Sequence, residues 1–165
     1  MLNSYNISQL QEGGYFFTTT SGVIYNVYLL DDSLYFDDFP EFSGDVSTFG
    51  FDIVSNPLMK TPFDTRVRIT ISNIIIDYLS AQPEKILFFV CDSADTRQKG
   101  RMRIFEQWYN YLKVDYIEKY NESIQAADMD IYCSIILHTN NSLKNHIISS
   151  FRNLSHTTSE KLKSY

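Results

Sequence analysis

Apolar and polar positions recur along this chain with two periods, and the switches between them mark its elements. Residues 15–30, "YFFTTTSGVIYNVYLL", read as two strands. In the second, Val23, Tyr25, Val27 and Leu29 alternate with Ile24, Asn26, Tyr28 and Leu30, the period of a strand with two faces. Ser21-Gly22 lies between the strands, and glycine supplies the positive φ that a tight hairpin needs. "VSTFGFDIV" (46–54) gives a third strand, which Asn56-Pro57 ends. Residues 64–81 begin with strand-like alternation, but taken whole Val67, Ile71, Ile74, Ile75 and Tyr78 form one helical stripe. Asp64 as N-cap and Pro83 beyond the end favour a helix there. "KILFFVCD" is almost continuously apolar, which predicts a central strand covered on both faces. Residues 95–112 predict a helix with Met102, Phe105, Trp108, Tyr109 and Leu112 facing the core. Residues 114–122 and 130–138 read as strands. Asn141 or Ser142 starts a last helix, with Leu143, Ile147, Ile148 and Phe151 on one side. A leader over residues 1–13 and a tail over residues 155–165 read as frayed.

The expected fold is therefore α+β, in the order β-β-β-α-β-α-β-β-α, with helices packed on a mixed, largely antiparallel sheet. A chain of 165 residues fits one domain and can bury a full core.

Charge adds a second pattern. The net charge is −6, yet residues 1–63 hold eight acids against Lys60 alone, and five of the six arginines fall at positions 66, 68, 97, 101 and 103. The acidic first third argues against nucleic acid, whose binding draws on phosphate neutralisation. The two cysteines, Cys91 and Cys133, sit in apolar runs with no zinc-like spacing, so they read as buried thiols, and no metal or cofactor is expected. The N-terminus lacks a basic stretch followed by an apolar one, and no run approaches about 18 apolar residues. The expectation is a cytoplasmic protein with no membrane partner.

The densest charge lies in "CDSADTRQKGR". A helix over 64–81 followed closely by the 85–91 strand must run antiparallel to it, at about 1.5 Å per helical and about 3.3 Å per strand residue. Asp64 would then lie near Asp92, where the next helix begins. Asp64, Arg66, Asp92, Asp95, Arg97, Gln98 and Arg101 would converge on one edge of the sheet. Helix phase turns Arg101 and Gln98 toward Phe105, with Arg97 on the flank, so Asp92 and Asp64 are the natural partners of inward arginines, while Asp95 caps its own helix. The simpler account is an Asp–Arg network that fastens helices to the strand end. The functional account is a site for an anionic small molecule, since helix amino ends and arginines favour negative ligands. Cys91 would need a base to act as a nucleophile, and nothing in the sequence places His138 or His146 beside it. No catalytic set is read.

"YFFTTTSGVIYNVY", "FDTRVRITISNII" and "FFVCDSADTRQKGRMRIFEQWY" resemble an uncharacterised family of short proteins from Bacteroidota. Phe89, Cys91, Asp92, Asp95, Arg97, Gln98, Arg101, Arg103, Phe105 and Trp108 fall on its most specific block. The resemblance implies a bacterial origin and a single-domain fold, and brings no activity with it. The first expectation for function is a small non-enzymatic module that binds another protein, of the antitoxin, immunity or regulatory kind, with the acidic aromatic stretch from Asp31 to Phe42 as its surface. The alternative is an anion- or phosphate-ligand protein or enzyme working at the Asp64/Arg66–Asp92/Arg97/Arg101 junction.

Overall fold

The computed structural model describes residues 3–31, 34–91, 97–111, 114–126 and 129–163. Period-two alternation builds its first four strands: β1 (Ser8–Gln9), β2 (Tyr15–Thr18), β3 (Ile24–Asp31) and β4 (Val46–Ser55). Between β2 and β3, Gly22 takes φ 83°. Its N–H donates to Thr19 C=O, and the Thr19 N–H donates to Val23 C=O, both at 2.9 Å. Gly14, at φ 103°, lets the leader's turn lie against β3: a Cβ there would come within 2.5 Å of the Val27 carbonyl oxygen. The leader adds β1 to the expected order, and its Tyr5 is buried.

The ambiguous segment is a helix, α1 (Thr65–Ala81), and Asp64 is its N-cap, accepting from the Arg66 N–H at 2.9 Å. Val67, Ile71, Ile74, Ile75 and Leu79 form its buried stripe. The elements β5 (Ile86–Cys91), α2 (Gln98–Tyr111), β6 (Ile117–Ala126), β7 (Met129–His138) and α3 (Lys144–Lys163) follow. At the start of α3, Asn141 Oδ1 accepts from the Leu143 N–H at 2.9 Å, and the Glu84 carboxylate accepts the Ser142 hydroxyl at 2.8 Å. This ties the foot of β5 to the last helix.

The sheet has the order β1-β2-β3-β4-β5-β7-β6. Every pairing is antiparallel except β4 with β5. That parallel pair is in register only over Val46–Thr48 with Ile86–Phe88, after which the two strands part. β5 lies inside the sheet, and its alternate residues feed two cores. Leu87, Phe89 and Cys91 join Val27, Phe49, Ile71 and Phe105 under α1 and α2. Ile86 and Phe88 join Phe36, Phe42, Ile135, Ile147 and Phe151 under α3. A run buried on both faces has no room for alternation, which is why this strand reads as unbroken apolar sequence.

The stretch between β3 and β4 is not a free acidic loop. Phe36 and Phe42 are 1% and 2% exposed, and Phe36 meets Phe88 edge-on at 5.3 Å. His146 of α3 lies edge-on to Phe39 and Phe42, and its Nε2 reaches Glu41 Oε1 at 2.7 Å. The aromatic residues anchor this stretch to the second core, while Asp37, Asp38 and Glu41 face water.

Candidate functional site

Of the residues expected to converge, Asp64 and Arg66 turn to the leader. Asp64 holds the leader: its Oδ2 accepts the Tyr5 hydroxyl at 2.5 Å. The Arg66 guanidinium lies 3.9 Å over the Tyr5 ring, and its nitrogens donate to the carbonyls of Asn3 (2.9 Å) and Ser4 (3.3 Å) and to Thr20 Oγ1 (3.4 Å). Thr70, one turn on, accepts the Tyr5 N–H at 2.8 Å and returns its own hydroxyl to the Arg66 C=O at 2.7 Å. Among the described residues, the side-chain contacts of Asp64 and Arg66 fall on the leader and the β2–β3 turn, and none on α2. Beside the apolar core that α1 and α2 share, Arg68 joins them by stacking 3.7 Å over Tyr111 in the last turn of α2 rather than the first.

Arg97 and Arg101 stand at the amino end of α2 with exposed side chains, so the expected inward aim is corrected. A long arginine stem can stay exposed even from a core-side position, and both residues are engaged with other groups. Arg101 is within electrostatic reach of Tyr28: burial and then Asp52 push that phenol up, and Arg101 opposes them. Gln98 opens α2. Asp92 and Asp95 lie outside the described residues.

A polar cluster that the sequence reading missed sits under α2. The Lys119 side chain is 1% exposed, and its ammonium bonds Glu106 Oε2 and, at 2.5 Å, Asn121 Oδ1. Asn121 Nδ2 donates to the same Glu106 oxygen at 3.1 Å, and the Ser134 hydroxyl donates to Asn121 Oδ1 at 2.7 Å. The rings of Phe105 and Tyr109 flank the ammonium at 5.6 and 5.8 Å. Burial alone would raise the Glu106 carboxyl, but hydrogen bonds from Lys119 and Asn121 outweigh it and hold the group below its ordinary value. One signal for this was available: in "IEKYNESI" the period of two puts Lys119 and Asn121 on one face.

The thiols of Cys91 and Cys133 are both buried. They feed opposite cores, and burial, with Glu122 and Cys91 adding to it, pushes the Cys133 thiol up to about 12. His138 Nδ1 accepts from the Asn140 N–H at 3.0 Å, and His146 is engaged with Glu41.

Large apolar side chains reach solvent at the far end of β4. Ile53 and Val54 are 41% and 65% exposed, and Leu58, Met59 and Phe63 in the following loop are 41%, 104% and 88% exposed. The loop has its own supports: Asn56 Oδ1 accepts the Leu58 N–H at 2.9 Å and Asn56 Nδ2 donates to Thr61 at 3.1 Å. Among the described residues, no helix is long and apolar enough to cross a membrane.

Comparison with curated proteins finds no match, and comparison with solved structures finds none. One family profile matches residues 63–153, from just before the α1 cap into the middle of α3. The chain thus belongs to that family, a family of unknown function (DUF6169).

Proposed function

We propose that this protein works by binding another protein through the apolar end of β4 and the loop after it. The observation that carries the reading is the exposure of Met59 and Phe63, 104% and 88%, beside Val54 and Leu58 in one short segment. Leaving such side chains in water forfeits about 2 kcal/mol each, a loss that a partner's apolar surface recovers. The stretch from Asp31 to Phe42 is less suited, because its phenylalanines are spent on the core. The partner's complementary face is apolar with basic groups at its rim, given the eight acids and one base of residues 1–63. Met59→Asp/Phe63→Asp tests this. The variant should keep its melting temperature and lose a protein that the unaltered chain retains from extract of the native host. If both retain the same proteins, or neither retains any, the reading fails.

A second reading is favoured by the parting of β4 and β5. They are the sheet's parallel pair, and crevices beyond the carboxyl ends of parallel strands are common ligand positions. An anionic small molecule there would lie near the start of α2, with Arg97 and Arg101. Hydrogen exchange over Phe49–Ser55 in the presence of nucleotides and phosphorylated metabolites checks it: a ligand in the crevice slows exchange there, and Arg101→Ala abolishes the effect. Unchanged exchange with every compound rejects this reading.

A further inference from the structure

α2 carries two rows of cations on opposite flanks. Arg97, just before the helix, and Arg101 form one. Lys99 and Arg103, two residues on and so about 200° round the helix, form the other. Lys99 and Arg103 are one turn apart, both exposed, and they border a shallow cleft between α2 and the β6–β7 pair, shared with Met102, Glu106, Asn121 and Tyr132.

Neither cation has an ion-pair or hydrogen-bond partner among the described residues. This is unexpected in a chain with 20 acids and 14 bases. The reason lies in the cluster beneath. Glu106 is the carboxylate lining the cleft, and both its oxygens are taken: Oε2 by Lys119 and Asn121, Oε1 by Asn110 at 3.4 Å. Among the described residues that line the cleft, Glu106 is the negative group that would repel an anion, and Lys119 neutralises it. What is left at the cleft is the charge of Lys99 and Arg103, over the half-buried Tyr132 and Met102.

We infer that this cleft binds a small dianion, a phosphate or phosphate monoester, held between Lys99 and Arg103 with Tyr132 and Met102 beneath it. Arginine's planar fork matches two phosphate oxygens and lysine supplies the second charge, so a dianion satisfies both. The site is distinct from the apolar end of β4 and from the crevice near Arg101, and it stands or falls separately from both.

The test is an NMR titration of isotope-labelled protein with inorganic phosphate and then with phenyl phosphate, against chloride at matched ionic strength. The expected result is saturable shifts at the amides of Asn121, Tyr132 and residues 99–106. Lys99→Gln and Arg103→Gln should each weaken binding by about tenfold, and Arg97→Gln/Arg101→Gln should leave it unchanged. The inference is overturned if the shifts do not saturate, if chloride reproduces them, if they survive Lys99→Gln/Arg103→Gln, or if only the Arg97/Arg101 pair abolishes them. All four residues are exposed, and an unchanged melting temperature of each variant accompanies the titration.

Discussion

Lys119 is a lysine that almost no water reaches, joined to a glutamate that water does reach: the two side chains are 1% and 38% exposed. That asymmetry decides what each substitution does. Glu106→Gln strands an ammonium in the interior and should cost about 3 kcal/mol, the low end for breaking a buried pair. Lys119→Met keeps the stem and leaves a carboxylate able to turn outward, so it should cost about 1 kcal/mol. Urea denaturation at neutral pH separates the two, and the reverse ranking would mean that the ammonium finds water. The pH sign follows from the depressed Glu106 carboxyl. Its contribution is complete above the ordinary glutamate value of 4.5 and is lost as pH falls through the lower folded-state value, so the gap between wild type and Glu106→Gln narrows in acid. None of this pairing was legible beforehand, because the partners lie 13 residues apart in different elements. The alternation that aims Lys119 inward was legible, but what waits under α2 depends on packing. For Arg101 the helix phase was legible but its exposure was not, because a long stem reaches past the core.

At the scale of elements, the α1 amino end shows how a cap can hold more than its own helix. Asp64 accepts a backbone N–H from Arg66 with one oxygen and the Tyr5 hydroxyl with the other, so it joins the leader to the helix. Asp64→Ala should cost about 2 kcal/mol, a cap and a hydrogen bond together, and Tyr5→Phe about 1 kcal/mol. Asp64→Asn, which still caps, should fall between wild type and Asp64→Ala. Equilibrium unfolding of the three variants and the Asp64→Ala/Tyr5→Phe double checks this. Strict additivity in the double would mean that the hydroxyl contributes nothing through Asp64. The helix itself was legible despite the strand-like start of its sequence, because Ile74, Ile75 and Tyr78 extend the stripe past any strand's length. The role of its polar neighbours was not. Arg66 is expected at the sheet edge, and the structure spends it and Thr70 on Asn3, Ser4 and Tyr5, residues about 60 positions earlier in the chain.

For the whole molecule, element order and the central place of β5 were legible, since an apolar run without alternation needs cover on both sides. The order of strands across the sheet was not, because nothing local to β4 or β5 records that they run parallel. The place of Asp64 and Arg66 in the expected edge constellation was misread for the same reason. It was argued from helix and strand lengths, which give the end of the sheet a residue reaches but not its position across it. Asp64 and Arg66 reach the β2–β3 turn, two strands from β5.

Three register pairs join β4 to β5, against six for β5 with β7 and eight for β3 with β4. The sheet is thus two panels, β1 to β4 and β5-β7-β6, meeting at a short seam. Across that seam lie Phe49 and Phe89, with Phe105 of α2 against both, at 5.8 and 4.4 Å. The Phe105 ring therefore helps splint the two panels, beside the direct Phe49–Phe89 contact. Shearing one panel past the other breaks few backbone hydrogen bonds but must pry apart Phe49, Phe89 and Phe105, so the mechanical weak line of this protein is guarded by packed rings rather than by its sheet.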